Sequence, residues 1–406
     1  MYLTHLSLTD FRNFSRLDVE VPRGVTLLLG DNAQGKTSLL EAIYYLATFT
    51  SFHASNDREL VNFIAGKQSL AVGRIVADYR RGTKSHRLEV RLIQEENSAN
   101  SSPRLRKEVL LDGSKRKIGE VIGHFNAVLF LPQMLQVIEG SPSERRRYLD
   151  LLLSQTVPDY AATLSVYNKA ISQRNALLKM LSERGGDASQ LVFWDEKITL
   201  SGAILILARI HAVQEIETLA ALIHRELTRS KEVLRLAYHP SYDPLPQQPG
   251  QYALPWDAPL DRKGLSKAEI TEGFQVALYQ RRNEEISRGL TTLGPHRDEL
   301  RFLANGIDLG TYGSRGQIRT AMLAIKMAEV TWMKEKTGHW PVLLLDEVLA
   351  ELDPQRRSDL LERLAQAEQA LLTTTDLDLF TPAFVEAAQQ WHIHGGTLQT
   401  IVKPQS

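Results

Sequence analysis

The spacing of apolar positions changes along the chain, and each change predicts a different kind of element. In the first hundred-odd residues "LDVEV" (17–21) alternates, "VTLLLG" (25–30) is a continuous apolar run, and "RLEVRLI" (87–93) alternates again. Alternation predicts half-buried strands and the continuous run a buried one. "EENSANSSPR" (95–104) reads as a polar surface loop, and Asp112-Gly113 inside "LLDGSK" (110–115) predicts a hairpin turn. From about 142 the period becomes helical. Ser141 precedes Pro142 at the first helical position, and Glu144 stands where a capping box places Glu or Gln. Helical patterning runs to about 236 with a break at "RGGD" (184–187), and "YHPSYDPLPQQPGQYALPWDAP" (238–259), rich in Pro and Gln, predicts a loop. After 290 the order is strand ("ELRFLANGIDL"), helix, strand ("PVLLLDEV"), helix, strand ("ALLTTT"). The pattern predicts an α/β domain in two halves, residues 1–144 and 290–406, split by a mainly helical insertion, residues 145–289.

The helix after 312 carries an anomaly. In "GSRGQIRTAMLAIKMAE" (313–329), Ile318, Ala321, Met322, Ile325 and Ala328 recur on one face, and Trp332 continues it. Ser314 is a good N-cap and Gln317 falls at the capping-box position. A capped core helix accounts for all of this except Gly316. A glycine inside a helix costs about 1 kcal/mol against alanine, and it makes sense where something approaches the backbone closely. A helix N-terminus, with free N–H groups and the positive end of the dipole, suits a phosphate.

Composition narrows the classes. The 406 residues suffice for two or three domains, and 48 Lys+Arg balance 48 Asp+Glu. Any nucleic-acid contact must therefore come from local patches rather than a global field. The chain has no cysteine, which excludes disulfides and thiolate zinc sites and allows an intracellular protein. "MYLTHLSLTDF" lacks the basic and apolar regions of a signal peptide. The longest apolar run, in "GAILILARI", is far short of the ~20 residues of a spanning helix. The expectation is a soluble, cytoplasmic protein without a membrane partner.

"GDNAQGKTS" (30–38) fits G-x-x-x-x-G-K-[ST]. It follows the strand "VTLLL" and precedes a helix with Leu39, Leu40, Ile43, Leu46 and Ala47 on one face, the context that gives the motif meaning. Gly30, Asp31, Asn32, Ala33, Gln34, Gly35, Lys36, Thr37 and Ser38 are the candidate ATP site. Loop N–H groups surround the β-phosphate, Lys36 supplies charge to β and γ, and the Thr37 hydroxyl ligates Mg²⁺. "PVLLLDEV" (341–348) runs into Asp346 and Glu347. Asp346 would hold Mg²⁺ through water, and Glu347 would polarise the attacking water.

More than 300 residues separate Lys36 from Asp346. That separation, with a Ser-x-Gly-Gln helix before the carboxylate strand, resembles the ABC-type ATPases. The resemblance implies that Ser314, Gly316 and Gln317 of one subunit cap the γ-phosphate of ATP bound by its partner, and that Asp353 of "AELD" (350–353) lies at the dimer seam. "FRNF" (11–14) resembles SMC-like heads, which implies that Arg12 reaches nucleotide. "GSPSERRRYLD" (140–150), "AISQRNALLK" (170–179), "GPHRDEL" (294–300), "YGSRGQIRTAMLAIKMAE" (312–329) and "PVLLLDEVLAELD" (341–353) resemble the RecF family over essentially the whole chain.

The resemblance implies an α/β P-loop NTPase of ABC/SMC-head type without a long coiled coil. It implies an ATP-dependent homodimer that binds gapped or junction DNA, acts with RecR and RecO in loading RecA, and supports the SOS response. Relatives usually carry an acidic residue where this chain has Gln133 in "LPQML", a position near Mg²⁺ or the attacking water; many have Ser-Gln-Gly-Gln where this chain has Ser-Arg-Gly-Gln. "ALLTTTD" (370–376) has threonines where transporter ATPases have a switch histidine, which suggests slow hydrolysis. The alternatives are a transporter's ATPase subunit, disfavoured by the insertion and the absent histidine, and a non-hydrolysing structural head, disfavoured by Glu347.

Two basic groups carry open readings. Arg145 and Arg146 can bind DNA phosphate or serve intramolecular ion pairs, and Lys115, Arg116 and Lys117 follow an exposed turn on either reading. His296 in "GPHRDEL" is catalytic or a structural histidine beside a turn.

Overall fold

Two compact units, residues 1–134 with 329–406 and residues 135–328, divide the chain in the computed structural model, which describes residues 1–95, 104–245, 262 and 264–400. Most of the expected polar loop at 95–104, and of the expected Pro-rich loop at 238–259, lies outside the described residues.

The first unit is built from two six-stranded sheets. One is antiparallel, in the order Phe14–Glu20, Tyr2–Phe11, Leu70–Arg81, Lys84–Glu95, Arg104–Leu111 and Ser114–Arg116. Its last hairpin turns at Asp112 and Gly113, both with positive φ, as the Asp-Gly pair predicts. The other runs Thr397–Thr400, Gln389–His394, Gly24–Leu29, Gln369–Thr374, Val342–Asp346 and Ala127–Phe130. All its pairings are parallel except the Gln389–His394 and Thr397–Thr400 hairpin. The helix Lys36–Thr48 is buried around almost its whole circumference, as expected of a helix enclosed in a core. Leu39, Leu40 and Ile43 share one apolar cluster with Leu6, Ile75 and Val90 of the first sheet and Leu344 and Leu371 of the second.

The second unit holds the helices Pro142–Thr156, Tyr160–Arg184, Leu191–Leu227 and Lys267–Arg288, the start of Arg315–Thr337, and a three-stranded sheet in the order Ile307–Asp308, Glu299–Ala304, Leu234–His239. The expected boundaries at 144/145 and 289/290 are corrected to 134/135 and 328/329. Strand pairing supplies the reason: Glu299–Ala304 is antiparallel to Leu234–His239, from Glu299↔His239 to Ala304↔Leu234. Residues 290–328 therefore belong with the insertion, and helical structure ends before 234 rather than at 236. Two buried arginines tie the unit together. Arg209 donates to Asp150 at 2.8 Å and Asp298 at 3.0 Å, and Arg174 donates to Asp195 at 2.7 Å and pairs with Glu285 at 2.6 Å. The capping box expected at Ser141 is not formed: its hydroxyl lies 2.6 Å from that of Ser143. Among the described residues no helix is long and apolar enough to cross a membrane.

Candidate nucleotide-binding site

The strand Gly24–Leu29 delivers the chain to a loop in which Gly30, Ala33 and Gly35 all have positive φ, and the helix starts at Lys36. Neighbouring chain holds this loop on two sides. Asn13 Nδ2 donates to the Gln34 carbonyl at 3.0 Å, and the Gly396 N–H reaches the same oxygen at 3.0 Å. The Gly395 N–H donates to Gln34 Oε1 at 2.7 Å. A Cβ on Gly35 would lie 2.6 Å from Asn13 Nδ2, and one on Gly30 would lie 2.3 Å from the Ile393 carbonyl. Both glycines are thus required by the chain's own packing. The sequence reading missed Asn13; its one signal was its place in "FRNF".

Parallel register brings the chemistry together. Asp346 pairs with Thr373, and Thr374 with Leu29, so three strand ends converge beside the loop. Thr37 Oγ1 lies 3.0 Å from both carboxylate oxygens of Asp346. Thr373 Oγ1 donates to Asp346 Oδ1 at 2.7 Å and accepts from the Glu347 N–H at 3.0 Å. One hydroxyl therefore fixes both acidic residues, a role that the threonine run in "ALLTTTD" did not disclose. Lys36 is 4 % exposed. Its Nζ donates to the carbonyls of Gly30 at 2.6 Å and Asp31 at 3.1 Å, with Glu347 Oε1 at 3.6 Å. Glu347 is about half exposed and held in the left-handed region, φ 53. That conformation costs a non-glycine residue on the order of 1–3 kcal/mol, and such strain clusters at functional sites. The first-turn N–H groups of the Lys36 helix lack intrahelical acceptors, so loop, ammonium, hydroxyl and carboxylates form a surface suited to a polyphosphate with a hard cation.

On the second unit, the Ser314 signature closes as a capping box. Gln317 N–H donates to Ser314 Oγ at 3.3 Å, and Ser314 N–H donates to Gln317 Oε1 at 3.0 Å. Ile318, Ala321, Met322, Ile325, Ala328 and Trp332 are buried as expected. Gly316 is different. A Cβ there meets nothing within 4 Å, and Ser314, Arg315 and Gly316 are all exposed.

Other expected site residues fall elsewhere. Arg12 points its guanidinium at the buried Glu41, with bonds of 2.7 and 2.8 Å, and at the Glu59 carbonyl. Here it serves the carboxylate buried on the Lys36 helix, which demands a cation. Arg145 pairs with Glu299 through two bonds, 2.6 and 3.0 Å, and Arg146 donates to the Asp298 carbonyl at 2.8 Å. Burial pushes the Arg146 pKa down. Arg145 thus makes the ion pair that one of its two readings requires, and Arg146 is likewise engaged within the chain.

Lys115, Arg116 and Lys117 are exposed, and Lys115 pairs with Glu108 at 2.7 Å. Gln133 is exposed just beyond the strand Ala127–Phe130. Asp353 caps the helix Pro354–Ala365 through the Arg356 N–H, and this bond holds its carboxyl below the usual range. His296 is structural in its contacts: Nδ1 lies 2.7 Å from the Tyr167 hydroxyl and Nε2 lies 3.2 Å from the Thr291 carbonyl. Burial lowers its pKa to about 4, so it is neutral at pH 7.

Comparison with known proteins agrees with this geometry. Residues 2–391 match the model of the RecF/RecN/SMC N terminal domain. The DNA replication and repair protein RecF of Roseiflexus castenholzii is 41% identical over 412 residues, covering 98% of this chain and 99% of the relative. That of Chloroflexus aggregans is 40% identical over 408 residues, with 98% and 99% covered. A solved structure of the recombination mediator protein RecF with ATP, from the RecFOR pathway, superposes with TM-score 0.83 at 30% identity, covering 99% of this chain and 98% of that one. The Smc head domain of Pyrococcus furiosus, 15% identical with TM-score 0.52 and covering 98% of this chain and 96% of that one, shares the fold. The transporter alternative is set aside, and the chain belongs to the RecF family of SMC-like ABC-type ATPases.

Proposed function

We propose that this chain is an ATP-gated DNA-binding protein of replication and repair, in which ATP joins two subunits, the closed dimer holds DNA, and slow hydrolysis resets it. One observation carries the reading. Lys36, Thr37, Asp346, Glu347 and Thr373 converge at the phosphate loop, whereas the exposed Gly316 has no use within its own chain. A phosphate bound at one subunit's loop and capped by Ser314, Gly316 and Gln317 of a second subunit gives that glycine a purpose.

In this reading Lys36 and the loop N–H groups hold the β- and γ-phosphates, and Thr37 and Asp346 hold Mg²⁺. Bound by these two residues, the cation would supply charge neutralisation for the transferred phosphoryl group. Glu347 orients the attacking water, and Thr373 keeps the Asp346 carboxylate and the Glu347 backbone in place. Arg12, seated on Glu41, reaches nucleotide only if it leaves that pair; Gln133 adjoins Mg²⁺ or the attacking water as a polar, uncharged group. Asp353 stands at the seam. ATP drives closure only by binding the closed dimer better than the open subunits. Lys115, Arg116 and Lys117 are the DNA-facing candidates that remain exposed. By family, RecR and RecO are its partners in loading RecA, and the SOS response is the setting. The protein works in the cytoplasm.

Light scattering with ATP, with and without gapped DNA, tests this. The parent chain should double in mass with ATP, and Glu347→Gln should stay doubled because hydrolysis no longer resets it. Lys36→Met removes the partner of a bound charge, which costs about 2–5 kcal/mol, and should abolish both binding and doubling. A Glu347→Gln chain that turns over ATP at the parental rate would sink the assignment of the water-orienting group.

A further inference from the structure

The amide of Gln317 is held at both ends. Its Oε1 accepts from the Ser314 N–H at 3.0 Å, and its Nε2 donates to Glu232 Oε1 at 2.9 Å. The first bond is the ordinary work of a capping box; the second is not, since a capping box closes without any partner for the amide nitrogen.

Glu232 is presented by an unusual turn. Arg229 and Ser230, two successive non-glycine residues, both lie in the left-handed region with φ 52 and 61. Such residues cost on the order of 1–2 kcal/mol each and persist where the surroundings over-determine them. Here they are over-determined. The Ser230 N–H returns to the Arg225 carbonyl at 2.8 Å. On the far side of Glu232, the Val233 N–H donates to Asn305 Oδ1 at 2.9 Å, and Asn305 Nδ2 donates to the Lys231 carbonyl at 3.4 Å. Asn305 itself has positive φ at the tip of the Glu299–Asp308 hairpin. Two strained turns thus clasp each other and carry one partly buried carboxylate to the signature glutamine.

We infer that Glu232 is the positioning residue of the signature: by accepting a hydrogen bond from Nε2 it fixes the amide of Gln317, and through Oε1 the turn of Ser314, in the orientation that meets the partner subunit's phosphate. This rests on the trans-capping reading above and deepens it. A carboxylate accepting from an amide makes a charge-assisted bond, stronger than a neutral one. Free rotation of the Gln317 side chain would instead exchange Oε1 and Nε2, turning a donor toward the Ser314 N–H and opening the cap.

Gln317→Glu separates the two bonds. Glutamate serves a capping box as well as glutamine does, so the helix keeps its cap while the donor to Glu232 is lost. The full-length chain is measured for ATP affinity by calorimetry, melting temperature, and ATP-driven dimerisation by light scattering. Gln317→Glu and Glu232→Ala should each weaken ATP-driven dimerisation about tenfold, equal to ~1.4 kcal/mol, while the ATP affinity of the undimerised subunit, measured at concentrations where no dimer forms, stays at the parent's, because its determinants lie on the phosphate loop. Glu232→Gln, which still offers an acceptor, should stay within about twofold. Glu232→Gln placed in the Gln317→Glu background reverses donor and acceptor and should recover most of the loss. The inference is overturned if Gln317→Glu and Glu232→Ala dimerise like the parent, or if the reversed pair is no better than Gln317→Glu alone. Should Glu232→Ala fail to fold, the Gln317→Glu pair of measurements decides. Ser314→Arg is the control: if it blocks dimerisation while the Glu232 variants do not, only this inference falls. If it dimerises freely, the trans-capping reading falls and takes the inference with it.

Discussion

Gly35 and Gly316 stand at the starts of two helices, and the protein treats them in opposite ways. Gly35 has φ 118 and is enclosed, with Asn13 where a side chain would go. Gly316 faces open space. The first is explained inside one chain, by a loop clamped between "FRNF" and the Gly395–Gly396 turn. The second is not, because nothing in its own chain crowds it and alanine would serve the helix better. The lesson is that a glycine's reason can be located: Gly35 has it within its own chain, whereas at Gly316 it must be sought outside, as the proposed trans capping does.

Alanine at each position sharpens the contrast, with the largest effect at Gly35. Gly35→Ala adds a clash and a disfavoured φ, together on the order of 1–3 kcal/mol or more, and calorimetry should find ATP affinity down at least about tenfold. Gly316→Ala should leave the melting temperature unchanged or slightly raised, by up to ~1 kcal/mol of helix propensity, and leave the ATP affinity of the undimerised subunit alone. It should nevertheless weaken ATP-driven dimerisation about tenfold. Equal losses of ATP affinity in the two variants would erase the comparison.

The smallest effect concerns charge, and it draws the same line between groups satisfied within the chain and groups left outside. Arg145 is bound to Glu299 and Arg146 to the Asp298 carbonyl, while Lys115, Arg116 and Lys117 lie on an exposed strand and its end. Arg145→Ala with Arg146→Ala should lower the melting temperature and leave the salt dependence of DNA binding unchanged. The triple alanine variant at 115–117 should flatten the slope of log K against log salt by ~0.9 for each DNA phosphate that is no longer neutralised. The opposite assignment of slopes would return the arginines to the DNA surface.

Much of the site was legible because it is local. Lys36 and Thr37 follow from spacing, and Asp346 from an apolar strand that ends in acid. What sequence could not supply are partners distant along the chain. Asp346 meets Thr37 across 309 residues and Arg145 meets Glu299 across 154. Nothing near Thr373 announces that its hydroxyl will hold the Asp346 carboxylate and the Glu347 N–H, and nothing near Glu232 announces Gln317. The insertion's limits were misplaced for the same reason, since the pairing of 299–304 with 234–239 leaves no periodic trace at either end. Even a local signature can mislead. Ser141 with Glu144 and Ser314 with Gln317 present the same motif, yet only the second closes, because Ser143 draws the Ser141 hydroxyl away.

The central claim is that the Ser314 turn acts on a phosphate held by another subunit. Energy transfer between differently labelled subunits, with ATP, tests it most directly when Ser314→Arg is set beside the parent. Loss of the cap alone costs about 1 kcal/mol within each subunit and predicts undiminished transfer. Under trans capping, Ser314→Arg binds ATP as the parent does and shows no ATP-induced transfer; transfer equal to the parent's would contradict the claim and leave Ser314 as a helix cap and nothing more.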